Sequence, residues 1–250
     1  MVKALEKTNL PELSVVVLCY KAGEFIRQFV EKIRVLFNQE RIFDYELILV
    51  GNYFPKDNDL TPLVVKKLAD MYPNVRYVAK EKQGMMGWDM KSGLNLSRGR
   101  YISVIDGDGQ MPVEDLAKVY RKIKAEKLDL VKTYRTVRGD SRWRKFLNIV
   151  YNLVFKILFY GLGAKDINSK PKIITREAYE KLNLESDNWF IDAEIMIQAR
   201  RFNFKIGQIP TYFFGLSGRR ESFVGFSAIM EFIKNLIVFR LKEFKKSKKI

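Results

Sequence analysis

Leu13 to Tyr20, LSVVVLCY, is a continuous apolar run of strand length, the pattern of a strand buried on both faces. From Glu24 to Phe37 the apolar positions change to Phe25, Ile26, Phe29, Val30, Ile33 and Phe37, which is helical spacing. The same reading predicts a second buried strand over Tyr45–Val50, a helix from about Thr61 to Met71 and a third strand over Val75–Ala79. The loop Lys80 to Gly87 leads into a helix ending near Ser97. The run Tyr101 to Ile105 is a fourth strand that stops abruptly at Asp106-Gly107-Asp108. After Pro112 an amphipathic helix runs to about Lys127, opening with proline and acidic residues as helix starts prefer. Asp129 to Arg135 is a further strand. Strands alternating with helices over this half predict an α/β fold with a mainly parallel sheet.

The second half is less regular. An apolar helix is predicted from about Trp143 to Tyr160, ended by Gly161 and Gly163, then a strand at Lys172–Thr175, a helix at Trp189–Phe202 and a strand at Lys205–Phe214. The Trp143 helix is apolar around most of its circumference, with a polar stripe of Lys145, Asn148, Asn152 and Lys156. From Phe146 it offers about 22 Å of helix, short of the roughly 30 Å hydrocarbon core of a bilayer. Insertion in the plane of a membrane surface is therefore expected, with a core helix or an oligomer contact as the alternative. The last helix, about Phe226 to Phe244, carries Phe226, Ile229, Met230, Ile233, Leu236, Ile237, Leu241 and Phe244 on one face, edged by Lys234, Lys242, Lys245 and Lys246. That is the pattern of a basic amphipathic membrane helix. Residues 1–222 are expected to form one domain, and 223–250 a C-terminal amphipathic basic helix and tail.

Charge narrows the class of partner. The chain carries 45 Lys+Arg against 29 Asp+Glu, a formal net charge of +16, which predicts an anionic partner: a phosphorylated substrate, a membrane surface or nucleic acid. Nucleic-acid binding would need aromatic residues interleaved with the basic run Lys132–Lys145. Trp143 alone does not supply them, and carboxylates at a sheet edge would repel the backbone, so no nucleic-acid partner is expected. Histidine is absent, so a general base must be a carboxylate, a lysine or the substrate itself. The single cysteine, Cys19, sits in an apolar run and reads as a small buried hydrophobe. The N-terminal MVKALEKTNLPELS has no apolar core of a signal peptide, and none is expected.

Asp106, Asp108 and Gln110 close a buried strand, and oxygen ligands at the carboxyl edge of a parallel sheet stand where ligands bind. Hard cations such as Mg²⁺ or Mn²⁺ take one or two carboxylates and complete their shell with phosphate oxygens and water. Arg135 ends a strand at the same edge and Arg144 begins a helix; the planar guanidinium suits phosphate. The loop Gln83–Asp89 reads either as a flexible connection or as a donor contact at a helix N-terminus.

With these residues in place the chain resembles the family 2 glycosyltransferases, especially polyprenyl-phosphate sugar synthases of the dolichyl-phosphate-mannose type. The opening strand SVVVLCY, the second strand ELILV, IDGDGQMP, KTYR, RKFLNIVYN, KDINSKPKIITRE and WFIDAEIMIQARR follow the family's order over roughly residues 13 to 222. The resemblance implies a GT-A, Rossmann-like nucleotide-sugar-binding fold with added amphipathic interface helices. It implies a metal on Asp106, Asp108 and Gln110. Nucleotide contacts would come from Tyr20, Glu24, Asn52, Asp89 and Asp106, and acceptor-phosphate contacts from Arg135, Arg144 and Asn148. Catalytic carboxylates would be Asp108, Asp192 and Glu194, with further contacts at Ser169, Lys172, Arg219, Arg220 and Ser222. The chain departs from the pattern at Gly51-Asn52-Tyr53-Phe54, at Lys21-Ala22 and at Lys170, where a glycine is common.

The reaction so implied is inverting, metal-dependent transfer of a sugar from a nucleotide-sugar donor to a polyprenyl phosphate. The protein would be cytoplasmic and peripheral on the inner face of an anionic membrane. A soluble relative acting on a glycan hydroxyl, its apolar helices making homo-oligomer contacts, is the alternative; it would require Asp192 or Glu194 as base.

Overall fold

A computed structural model of the chain describes residues 10–138, 149–150, 153–214 and 234–241. Its centre is a seven-stranded sheet in the order β3-β2-β1-β4-β6-β5-β7. The strands β1 (Leu13–Leu18), β2 (Tyr45–Val50), β3 (Val75–Val78) and β4 (Tyr101–Asp106) pair in parallel. β5 (Leu130–Arg138) pairs in parallel with β7 (Ile206–Phe213), while β6 (Lys172–Thr175) runs antiparallel between β4 and β5. The mainly parallel α/β sheet expected from the alternation of elements is therefore present, with one reversed strand. β5 continues beyond the expected Arg135 because β7 supplies a hydrogen-bonding partner as far as Arg138, with a bulge between Arg135 and Val137.

The apolar runs are buried on both faces because helices cover both. Val15, Val17, Leu47 and Leu49 pack toward α1 (Phe25–Gln39), α2 (Thr61–Met71) and α4 (Glu114–Ala125). Their neighbours Val16, Ile48 and Val50 point the other way, toward the layer of α3 (Met86–Leu96), the one-turn helix α5 (Arg176–Tyr179) and α6 (Ile191–Arg201). This is the period-two alternation of a strand read twice. Gly93 lets α3 press on the sheet; a Cβ there would stand 2.3 Å from Val16 Cγ1 and 2.7 Å from Val50 Cγ2.

Helical residues 153–158 and the turn after them join the second layer through Phe155 and Phe159, both fully buried. Helical residues 234–241 join it through buried Leu236 and through Phe239, whose ring lies 4.9 Å from that of Phe190. The opposite faces are bare: Ile149, Leu153, Ile157 and Tyr160 are exposed, as are Ile237 and Leu241. The single apolar face expected for the last helix is thus divided, Leu236 inward and Ile237 and Leu241 outward, because the helix docks on the core along one stripe only. Among the described residues no helix is long and apolar enough to cross a membrane.

Because β6 is reversed, its amino end lies at the edge where β1, β2 and β4 have their carboxyl ends, and β5 runs on past it: Leu18 lies opposite Val50 and Asp106, and Lys172 opposite Val104 and Lys132.

Candidate active site

At that edge β4 releases the chain into Asp106-Gly107-Asp108-Gly109-Gln110. Gly109 has φ +75°, and a Cβ on it would lie 2.7 Å from the Phe25 ring, so the turn needs glycine on both counts. Asp108 Oδ1 accepts the Gln110 backbone N–H at 3.0 Å, an Asx turn. The loop is tied to the end of β7, with Phe214 N donating to Gln110 O at 2.9 Å and Gln110 Nε2 to Phe214 O at 3.2 Å. Asp106, Asp108 and Gln110 are all half-buried at the mouth of the sheet edge. Among the described residues no three His, Cys, Asp or Glu side chains converge. Protein donors at this edge are therefore two carboxylates and an amide oxygen, a hard set that fits a cation completed by diphosphate oxygens and water.

Beneath the mouth lies a floor of buried charge. Lys132, Lys170 and Lys172 are buried, and Asp192, from the first turn of α6, is inaccessible to solvent. Asp192 forms an ion pair with Lys172 and another with Lys170, whose Nζ is 2.9 Å from Asp192 Oδ2 and 3.4 Å from Asp106 Oδ2. Burial alone would raise the Asp192 pKa, but the two lysines outweigh it and hold the carboxyl below the usual carboxylate range. Lys132 is different: burial pushes its pKa well down, and its Nζ donates to carbonyls, Lys165 O at 2.8 Å and Asp166 O at 2.7 Å. Ser169 Oγ hydrogen-bonds Thr133 Oγ1 at 2.7 Å in the same floor.

Arg135 is locked in place. Its backbone N–H reaches Asp166 Oδ2 at 3.0 Å, its Nε the same oxygen at 2.6 Å and its Nη2 Asp166 Oδ1 at 2.5 Å. Burial would raise the Asp166 carboxyl, yet Arg135 pulls it from an ordinary 3.8 to about 2. Because the folded value lies below the unfolded one, this stabilisation is complete above about pH 4 and is lost as pH falls toward 2. Urea unfolding should show about 2 kcal/mol of stability disappearing over that window in the natural chain. Asp166→Asn should lack that component; identical acid slopes for the two chains would refute the assignment.

On the β2 side Asn52 is fully buried, its Nδ2 donating to Asp89 Oδ1 at 3.0 Å and its Oδ1 accepting from Lys80 N at 2.9 Å. Lys82 forms a buried ion pair with Asp89 and lies 4.4 Å from the centre of the Tyr20 ring. Burial raises the Asp89 pKa despite Lys82. Tyr20 Oη donates to Asp57 Oδ2 at 3.1 Å and its ring meets Phe54 edge-on at 6.2 Å. Tyr20, Asn52 and Asp89 are thus gathered around Lys82. Glu24 stands apart from them, exposed at the start of α1 and paired with Arg27.

Glu194 is fully buried but turned away from the mouth. Its Oε1 accepts the Glu185 N–H at 2.8 Å and its Oε2 the Ser186 N–H at 2.9 Å. It holds the loop that clamps the start of α3, where Met85 N donates to Asp187 O at 2.7 Å. Arg144, Asn148, Arg219, Arg220 and Ser222 lie outside the described residues. Sequence reasoning passed over Lys82, took Lys132 only as the start of a basic run and left Lys170 without a role. A signal existed for Lys132, a lysine set inside the strand LVKTYR, and for Lys170, a charge where a glycine is common. A separate open cleft of about 780 Å³ lies on the outer face of α3, between Tyr77, Trp88, Lys91 and Tyr179; no residue of the DGDGQ motif lines it.

The chain is similar to known proteins over most of its length. A dolichyl-phosphate beta-glucosyltransferase of Dictyostelium discoideum is 26% identical over 213 residues, covering 80% of this chain and 64% of the relative. One of Trichomonas vaginalis is 25% identical over 201 residues, covering 75% and 59%. The chain thus spans about three-fifths of the length of these relatives. Among solved structures, mannosyl-3-phosphoglycerate synthase from Rubrobacter xylanophilus superposes with a TM-score of 0.70 at 16% identity, covering 94% of this chain and 75% of that one. Glucosyl-3-phosphoglycerate synthase from Mycobacterium tuberculosis, in complex with Mn²⁺, uridine diphosphate and phosphoglyceric acid, gives 0.67 at 16% identity, covering 92% and 78%. The fold they share with this chain is GT-A. The sequence profile described as glycosyl transferase family 2 matches residues 14–223, from the first core strand past the last, and the chain belongs to that family.

Proposed function

We propose that the chain transfers a sugar from a nucleotide-sugar to a polyprenyl phosphate of the dolichyl type, with inversion, at the inner, cytoplasmic face of an anionic membrane. The observation that carries this reading is the row of cationic side chains set beside the carboxylate mouth, Arg135, Lys170 and Lys172. Such a row favours an anionic acceptor. The carboxylates that a hydroxyl acceptor would need as base are engaged elsewhere, Asp192 between two lysines and Glu194 on backbone N–H groups. A phosphate monoester needs no such base, since its second pKa is about 6 and it is largely ionised at neutral pH.

Asp106, Asp108 and Gln110 would hold Mg²⁺ or Mn²⁺, which when bound neutralises charge on the departing diphosphate. Tyr20, Asn52 and Asp89 form the nucleotide side of the site. Arg135, fixed by Asp166, directs positive charge to the acceptor phosphate, with Arg144 and Asn148 as its expected companions. One phosphate oxygen then attacks the anomeric carbon as the bond to the nucleoside diphosphate breaks, and no proton moves. The role of this chain is positioning more than proton transfer.

Membrane attachment rests on the exposed apolar stripe Ile149, Leu153, Ile157 and Tyr160 beside Ile237 and Leu241, and on the net charge of +16. The test uses vesicles of anionic phospholipid containing dolichyl phosphate, with radiolabelled UDP-glucose or GDP-mannose and Mn²⁺. Label should pass to the lipid extract, and Leu153→Asp/Ile157→Asp should weaken vesicle binding in a flotation assay about a hundredfold or more, each burial of a large apolar side chain being worth ~1.5–3 kcal/mol. Label recovered only on a water-soluble glycan, with no flotation of the natural chain, would favour the hydroxyl-acceptor reading and its homo-oligomer contacts.

A further inference from the structure

Lys170 is the one lysine of the floor, among the described residues, whose ion pairs join the mouth to α6. Its side chain is only 3% exposed, and its Nζ stands 3.4 Å from Asp106 Oδ2, 2.9 Å from Asp192 Oδ2 and 3.3 Å from Met86 Sδ. Three partners around one ammonium keep it from swinging outward, and the fully buried Asp192 is anchored in turn by Lys172. Asp106 is different, with about a third of its side chain open to solvent. Its carboxylate therefore already carries a fixed cation on its inner side.

We propose that Lys170 is a built-in counter-cation of the DGDGQ site that weakens its hold on a free divalent cation, so that firm metal binding waits for the donor diphosphate. The physical reason is repulsion. An ammonium and a divalent cation sharing one carboxylate repel each other strongly in a water-poor site, whereas a diphosphate brings enough negative charge to offset both. The site is then empty of metal until the nucleotide-sugar arrives, and the two bind as a pair. The proposal rests on the metal reading given under Proposed function.

The test is titration of Mn²⁺, read as free ion by electron paramagnetic resonance, with and without UDP. Lys170→Met should tighten binding of Mn²⁺ alone about tenfold, or ~1.4 kcal/mol, and should narrow the gain that UDP provides. Lys172→Met removes a buried lysine that pairs with Asp192 but, among the described residues, has no ion pair with Asp106, and should shift Mn²⁺ affinity far less than Lys170→Met does. Equal affinity in the natural chain and Lys170→Met, or equal tightening by both variants, overturns the proposal. If the natural chain takes up no Mn²⁺ even with UDP, the metal reading itself fails. If it does and Lys170→Met changes nothing, only this inference fails. Should Lys170→Met not fold, the ¹³Cε resonance of Lys170 in the natural chain decides: it should move on addition of Mg²⁺ with UDP, and an unmoved signal overturns the proposal.

Discussion

Asp108→Asn is expected to lower sugar transfer by about a hundredfold to a thousandfold while the protein stays folded. A cation at a diphosphate supplies several kcal/mol of charge stabilisation, and each ~1.4 kcal/mol is a factor of ten in rate. Asparagine keeps an Oδ1 that can accept the Gln110 N–H now held at 3.0 Å, so the turn after β4 survives. Asp108 is half-buried at the mouth, and asparagine matches its size. Unfolding free energy should therefore change by no more than about 0.5 kcal/mol. Transfer measured on dolichyl-phosphate vesicles, beside a urea melt, checks both halves. Full turnover in the variant would remove the cation from Asp108; a collapsed melt would make the loss structural.

Asp192→Asn should do the reverse, with its main effect on stability. The side chain is inaccessible to solvent and serves two lysines at once. Asparagine leaves Lys170 with Asp106 and strands Lys172, and breaking a buried pair from one side typically costs about 3–5 kcal/mol. The pH dependence has a definite sign. Burial already holds the Lys172 pKa below its ordinary value in spite of Asp192. Without Asp192 the folded pKa falls further, so the unfolded chain binds more protons across neutral to alkaline pH and stability rises with pH. The deficit relative to the natural chain should therefore shrink between about pH 7 and 10. A deficit that is constant over that range would mean that Lys172 is not the stranded charge.

Much of this site was legible before any fold was known. The run Tyr101–Ile105 ending in Asp106-Gly107-Asp108 places carboxylates at a sheet edge by periodicity alone, and β2, α2 and β6 begin and end where their patterns say. What local patterns cannot carry is pairing between distant segments. Nothing near Lys172 in sequence says that β6 runs backward between β4 and β5, yet that reversal alone sets Lys170 and Lys172 against Asp106 and Asp192. Glu194 illustrates the same limit. Two residues from Asp192 on one helix, it faces a loop because successive positions on a helix point about 100° apart. For the helix ending at Tyr160, apolar residues on nearly every side leave the inward face undefined by composition; docking of Phe155 and Phe159 on the second layer decides it, and so decides which residues remain bare.

By itself, then, the order of apolar runs and turns determined an α/β sheet, its first four strands, the carboxylates at its edge and the family whose motifs it carries. Those features depend on neighbours within a few residues, where steric and hydrophobic preferences act directly. Only the tertiary structure decided the reversed strand, the counterions of the buried lysines and the outward face of the apolar helices. Each of those is a contact across tens of residues, formed when burial leaves a charge or an apolar surface no other partner.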